Sequence, residues 1–180
     1  MGETQTLDGV RVALVATDGF EDSELTRPLE AVEAAGGDVL VISDKSGEIV
    51  GKNGTAVEVE ALFDSVSPGD FHALLLPGGV QNPDALRMNE QAIEFIKTFF
   101  TDKKPVAAIC HAPWLLAEAD VLEGRTITSW RSIKTDVINA GAHWVDEPVV
   151  VDDLLVTSRK PDDLSDFCDS MVEVFGSQTQ

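Results

Sequence analysis

A cysteine and a histidine stand side by side at positions 110 and 111, between an apolar run and a segment that begins with proline. Small residues lie two positions on either side of the cysteine, at Ala108 and Ala112. Small flanks permit the sharp strand-to-helix turn that exposes a nucleophile, and the free N–H groups at the start of a helix favour a thiolate. The pattern predicts a reactive thiol at Cys110, aided by an imidazole at His111. The alternative is a buried structural cysteine.

Two further segments carry groups that such a thiol could use. The run Pro77-Gly78-Gly79 ends an apolar stretch and offers backbone N–H groups unobstructed by side chains, as an oxyanion pocket requires. Glu21 lies in the acidic loop after the first apolar run, where it is either a proton donor to the sulfur or a solvated charge. Asp84, in the loop after Gly79, has the same two interpretations.

The remaining histidines and the second cysteine lack comparable settings. His72 precedes an apolar run and His143 lies in a loop, so both are predicted at the surface. No histidine has a cysteine or carboxylate at ligand spacing, and the sequence therefore predicts no metal site. Cys168 lies on the apolar stripe of a predicted helix. Two cysteines in such different patterns argue against a disulfide and suit a reducing compartment.

Short apolar runs alternate with longer amphipathic segments along the chain. Runs bounded by Gly, Pro, Asp or Ser predict buried strands at 10–16, 38–43, 73–76 and 105–110. Helical spacing predicts helices within 25–36, 89–100, 113–119, 132–140 and 164–175. Pro28 implies that the first helix starts near Thr26 or is kinked, and Ser132 is a candidate N-cap. Residues 48–60 are typical of a hairpin, and residues 148–158 of two late strands.

Strands that alternate with helices predict a doubly wound, flavodoxin-like α/β fold, with a mostly parallel sheet covered by helices on both faces. We expect one domain over residues 1–180. Ligands of such folds bind beyond the carboxyl ends of the strands. The loop with Glu21, the Gly78-Gly79 pair and the Cys110-His111 pair each follow a predicted strand. We therefore expect these three segments to converge.

The charge balance limits the partners of the protein. The 32 acidic residues against 13 basic ones give a formal net charge of −19, and a field of that sign repels nucleic acid and anionic membrane surfaces. No apolar run approaches the roughly 18 residues of a membrane span, and the first residues lack a signal-peptide pattern. We therefore expect a cytoplasmic protein that binds neither nucleic acid nor membrane. The acidic surface serves either solubility alone or life in a salt-rich cytoplasm.

Several long segments together resemble the DJ-1/PfpI family, within the class I glutamine amidotransferase-like superfamily. They are ATDGFEDSELTRPLEAVEAAGGDV, ALLLPGG, AICHAPWLLAEADVLEGRTITS and DVINAGAHWVDEPVVVDDLLVTSRKPDDL. The chain is most similar to the PfpI-like branch, whose members are described as intracellular cysteine peptidases and as deglycases that repair glyoxal-type adducts.

The resemblance implies a role for each candidate residue. It makes Cys110 the nucleophile, His111 its catalytic partner and Glu21 the carboxyl group that hydrogen-bonds the sulfur. The Gly78-Gly79 turn, with the amides of Gly79 and His111, would form the substrate-binding oxyanion pocket. In PfpI-like proteins a carboxylate from a neighbouring subunit completes the triad, and Asp84 matches that acid. The resemblance thus implies a homodimer or a higher homo-oligomer.

The expected function is that of a stress-response hydrolase that uses Cys110 and no cofactor. Its expected partners are small carbonyl compounds, glycated proteins or peptides. A different class is also open, a redox sensor or holdase chaperone in which Cys110 is oxidised. A catalytically silent scaffold is a third hypothesis.

Overall fold

The structure, a computed structural model, describes residues 6–179 and contains a seven-stranded sheet within that span. The strands are β1 (Arg11–Val15), β2 (Asp38–Ser43), β3 (Glu48–Val50), β4 (Ala56–Glu58), β5 (Ala61–Leu62), β6 (Ala73–Leu76), β7 (Val106–Ile109), β8 (Thr126–Ile127), β9 (His143–Trp144), β10 (Val149–Asp152) and β11 (Leu155–Ser158). The helices are α1 (Asp22–Ala34), α2 (Gln81–Leu86), α3 (Glu90–Thr101), α4 (Pro113–Glu118), α5 (Lys134–Asn139) and α6 (Leu164–Gly176).

The main sheet has the strand order β10-β11-β7-β6-β1-β2-β5. All of its neighbouring strands run parallel except β10, which pairs antiparallel with β11. Chain order reverses between β1 and β6, so the carboxyl ends of β1, β6 and β7 lie next to one another at the switch point where such sheets bind ligands. The predicted doubly wound, flavodoxin-like fold is confirmed.

Two apolar layers hold the helices on the sheet. One face of the sheet packs against α3 and α4, with Phe95, Phe99 and Leu115 in that core. The other face packs against α1 and α6, with Leu25 and Phe167 among the buried side chains. Because β1, β6 and β7 are covered on both faces, their residues after the exposed Arg11 are apolar without alternation.

Helix α1 and the segment after Gly78-Gly79 differ from the predicted secondary structure. Helix α1 begins at Asp22 and contains Pro28, so the start near Thr26, one of the two alternatives predicted from Pro28, is wrong. The burial of α1 against α6 and β2 outweighs the one hydrogen bond that the proline removes. Asp84 lies in helix α2 rather than in a loop.

The chain around residue 132 also departs from the predicted pattern. Ser132 lies inside a 3₁₀ turn (Arg131–Ile133), and α5 begins after it, so the serine is not an N-cap. Its hydroxyl faces His111 instead. His143 is exposed as predicted, but it belongs to β9 rather than to a loop. Within residues 6–179, no helix has both the length and the apolarity that a bilayer span needs.

Candidate active site

The three predicted segments meet around one open cleft of about 650 Å³. The loop after β1 contributes Glu21, helix α1 contributes Glu24, the turn after β6 contributes Gly79, and the turn after β7 contributes the cysteine and histidine. The remaining lining residues are Gly19, Lys52, Val80, Gln81, Trp130 and Pro161. Acid, base and thiol therefore share one cavity at the carboxyl edge of the sheet.

Cys110 occupies a strained turn between β7 and α4. Its φ of 65° lies in the left-handed region, which costs a non-glycine residue roughly 1 to 2 kcal/mol. Two backbone hydrogen bonds hold it there: its N–H donates to the carbonyl of Ser158 (3.0 Å), and its carbonyl accepts from the N–H of Trp130 (2.9 Å). The turn places this side chain, although buried, at the wall of the cleft, as expected of a nucleophile elbow.

The imidazole of His111 has a neighbour at each nitrogen and two aromatic neighbours. Nδ1 lies 3.2 Å from Sγ of Cys110, and Nε2 lies 3.4 Å from Oγ of Ser132. The ring packs edge-on against Trp114, with centroids 5.2 Å apart, and stacks on Trp130 at 6.2 Å. Burial, helped by the ammonium of Lys52, lowers the pKa of His111, so the ring is neutral at pH 7 and can accept a proton.

The carboxyl group beside the sulfur belongs to Glu24, not to Glu21 as the sequence and the resemblance implied. Glu24 is fully buried. Its Oε1 accepts a hydrogen bond from the N–H of Gly78 (3.1 Å), and the carboxyl group interacts with the Cys110 thiol. Gly78 lies between the two side chains, because a Cβ at this position would come within 2.7 Å of Cβ of Cys110. Gly78 is therefore a spacer that brings acid and thiol together, and it does not line the cleft.

Glu21 lines the same cleft but forms an ion pair with Lys52. The difference follows from helix geometry: Glu21 precedes the first turn of α1, whereas Glu24 points inward together with Pro28 and Val32, each one helical turn further on. The spacing of four residues that links Glu24 to Pro28 and Val32 is the signal by which the sequence could have identified Glu24. An acid in line with an apolar helix stripe is a candidate for a buried functional group.

Burial dominates the electrostatics of the acid and the thiol. It raises the pKa of Glu24 from its ordinary value of 4.5 to about 8, helped by the charge of Glu21, so Glu24 is protonated at neutral pH. Burial also raises the pKa of the Cys110 thiol, as does the charge of Glu24 once that group ionises, and the backbone N–H groups of Gly79 and His111 oppose this rise. Desolvation therefore opposes the lowering of the thiol pKa that the start of helix α4 and the neighbouring histidine predict.

The Gly79 and His111 amides both face the sulfur. Gly79 adopts a φ of 86°, and a Cβ there would lie 2.5 Å from the carbonyl oxygen of Gly19. Only glycine therefore fits between the first loop and the cysteine. Asp84, by contrast, is exposed on α2 and does not line the cleft of its own chain.

Fold and site together define an α/β protein whose cysteine lies on a strained elbow at the switch point of a doubly wound sheet. The sequence model of the DJ-1/PfpI family matches residues 10–174. The chain belongs to the DJ-1/PfpI family.

Curated relatives match nearly the whole chain. "Deglycase TK1284" of Thermococcus kodakarensis is 48% identical over 155 residues, which cover 86% of this chain and 93% of that protein. "General stress protein 18" of Bacillus subtilis is 51% identical over 162 residues, which cover 88% and 94%. These likenesses support an enzyme of this family.

A solved structure has the same fold. The two-domain protein of Anabaena variabilis with DJ-1/ThiJ/PfpI-like and ferritin-like domains superposes with a TM-score of 0.90 at 33% identity. The superposition covers 93% of this chain and 48% of that one, so this chain spans about half of the two-domain protein.

Proposed function

We propose that the protein is a hydrolase in which Cys110 attacks carbonyl-derived centres in amine adducts, as a deglycase does. The observation that carries the proposal is the 3.2 Å contact between Nδ1 of a neutral His111 and Sγ of Cys110, beside a protonated Glu24 and inside an open cleft. Base, nucleophile and acid are thereby within reach of one substrate carbon. The names of the deglycase relatives point to the same chemistry.

The reaction divides into two substitutions at that carbon. In the first, Nδ1 of His111 takes the thiol proton, the sulfur forms a bond to the adduct carbon, and the carbon–nitrogen bond breaks. The proton held on His111 goes to the departing amine. In the second, His111 takes a proton from water, the water oxygen replaces the sulfur at carbon, and the proton returns to the thiol. No oxidant, reductant or cofactor enters the balance.

Glu24 and the two amides stabilise the charge that develops. A thiol with a raised pKa is deprotonated only as His111 accepts the proton, and the protonated Glu24 then donates to the new thiolate. The N–H groups of Gly79 and His111 face the same place and would bind an oxyanion on the attacked carbon. A volume of about 650 Å³ suits a small adduct or a peptide side chain.

The proposed function is tested by turnover with purified protein. The substrates are methylglyoxal adducts of amines, free methylglyoxal and a peptide amide, and the variants are Cys110→Ala and the matched control Cys168→Ala. We expect activity in the wild type and in Cys168→Ala, and loss in Cys110→Ala. Equal activity in Cys110→Ala would end the covalent mechanism.

We propose further that Asp84 acts on a second copy of the chain in a homo-oligomer. Asp84 is exposed on α2, where Val80 and Met88 expose apolar surface on either side of it, so this face can contact another protomer. Complementation tests the idea: inactive Cys110→Ala and Asp84→Asn proteins are dissociated, mixed and reassembled. Recovered activity supports an acid supplied by the other copy, and no recovery by assembled hetero-oligomers contradicts it.

A second candidate function is redox sensing. It is favoured by Oε2 of Glu24, which is buried without a hydrogen-bond partner among the described residues. In a protonated carboxyl group that interacts with Cys110, this oxygen can donate to an oxygen of an oxidised cysteine. Peroxide titration followed by mass spectrometry distinguishes the two functions. A sensor would stop at a sulfinate on Cys110 at peroxide doses that leave Cys168 reduced, whereas equal oxidation of both thiols would count against sensing.

A further inference from the structure

Lys52 reaches the active-site cleft from a hairpin that is otherwise remote from the catalytic groups. It lies in the turn between β3 and β4, and its backbone N–H donates to the carbonyl of Phe20 (2.9 Å). The carboxylate of Asp22 accepts from the next turn residues, with Oδ2 bonded to the N–H of Asn53 (3.0 Å) and Oδ1 to that of Thr55 (2.9 Å). The first turn of α1 thus fastens the hairpin to the rim of the cleft.

Close packing supports this attachment. A Cβ at Gly51 would lie 2.5 Å from Oδ1 of Asp22, so the strand can approach the helix only because position 51 is glycine. On the other side, Oδ1 of Asp18 accepts from the N–H of Val50 (2.8 Å). The backbone of Lys52 is therefore held at several points, and its ammonium is directed to a defined place.

The Lys52 ammonium lies among the charged and titratable groups that line the cleft. The Lys52 ammonium pairs with Glu21 and interacts electrostatically with Glu24 and Cys110, yet 54% of its side chain remains exposed. His111 is neutral at pH 7, so Lys52 carries the positive charge among the residues that line the cleft. An ammonium has three N–H donors, and Glu21 occupies one side of it. The others are free to bind a ligand.

We propose that Lys52 determines specificity by binding a carboxylate that the substrate carries next to the carbon attacked by Cys110. The favoured substrates are then aldehydes and amine adducts derived from 2-oxo acids rather than uncharged dicarbonyls. A chain with a net charge of −19 repels anions at long range, so recognition of an anionic substrate needs a local cation of this kind. Glu21 competes for the ammonium and thereby limits the affinity for the carboxylate. The inference rests on the proposed function in taking Cys110 as the attacking atom.

Two alkylating reagents of similar size test it without a known substrate. Iodoacetate carries a carboxylate and iodoacetamide a neutral amide, and in both reactions the cysteine sulfur forms a bond to carbon as iodide leaves with the electron pair. The ratio of the two rate constants at Cys110 cancels any change in thiol pKa, because both reagents attack the same thiolate. Rates are measured by mass spectrometry at about 0.15 M salt, where a Debye length of about 8 Å screens distant charges but not a direct ion pair.

The variants separate a local ammonium from a general change in charge. Lys52→Met should lower the iodoacetate-to-iodoacetamide ratio at Cys110 by about fivefold, the effect of one partly exposed ion pair, and Lys52→Arg should retain most of it. Glu21→Gln should raise the ratio, since it releases the ammonium. Lys97→Met removes the same charge from an exposed position on α3 and should leave the ratio within twofold of the wild type.

The outcomes are distinct from those of the turnover assay. A ratio that Lys52→Met changes by less than twofold, or that Lys97→Met lowers equally, would overturn the role of Lys52. The ratio at Cys168 serves as an internal control and should not respond to any of the four substitutions. If Lys52 fails this test while Cys110→Ala abolishes turnover, the proposed function still stands.

Discussion

Replacing Glu24 by glutamine should change how stability depends on pH. The carboxyl group titrates at 4.5 when solvated and at about 8 in the folded protein, a difference of about 3.5 units. Between these values the folded state holds a proton that the unfolded state has lost, so the free energy of unfolding falls as pH rises through this window. At about 1.4 kcal/mol per unit, the full effect is on the order of 5 kcal/mol.

Glutamine keeps the shape of the protonated acid and does not titrate. Its carbonyl can accept from the N–H of Gly78, as Oε1 of Glu24 does, and its amide can donate toward the sulfur. Relative to Glu24→Gln, the wild type should therefore lose about 1 kcal/mol per pH unit between pH 5 and pH 8. Urea unfolding of both proteins at half-unit pH intervals measures this difference. Parallel stability curves across the window would refute a buried, protonated Glu24.

Three further predictions follow from the site and the surface. Iodoacetamide should label Cys110 about tenfold faster than Cys168, because the two thiols are almost equally buried (8% and 9% exposed) but only Cys110 has a base and a cleft beside it. Mass spectrometry at partial labelling checks this, and equal rates would contradict it. Ser132→Ala should lower kcat by about fivefold with little change in KM, because Nε2 of His111 loses the hydroxyl that orients the ring. An unchanged kcat and pH profile would exclude that role. Raising KCl from low to molar concentration should raise Tm, because salt screens the repulsion within a chain of net charge −19. A weakly salting-out salt at matched ionic strength is the comparison. Equal Tm values at low and molar salt would leave solubility as the role of the acidic surface.

The sheet could be predicted from the sequence because buried parallel strands appear there as continuous apolar runs. The runs at β6 and β7 end at Pro77 and at the cysteine turn, the run at β1 ends at the acidic loop, and the structure brings these ends together. The two-residue strands β5, β8 and β9 were not predicted, since so few residues show no periodicity.

The site could be predicted only in part, because the sequence does not show which side chains of an element point into the cleft. The Cys110-His111 pair is marked by its own neighbours, but the choice between Glu21 and Glu24 depends on where α1 begins. A helix start is among the least certain features of a sequence, and here Pro28 was compatible with either a later start or a kink. Lys52 reaches the cleft, and Ser132 reaches His111, from distant elements through tertiary contacts that no local pattern predicts.

The left-handed backbone at Cys110 makes one side chain both unfavourable for the stability of the fold and necessary for the proposed chemistry. Glycine would adopt the same φ of 65° without the cost that a side chain incurs. Selection for a stable fold alone would therefore favour drift of position 110 toward glycine, and only selection for the thiol retains cysteine. A descendant that had lost its activity should then show the loss first at this turn, while the surrounding sheet stayed intact.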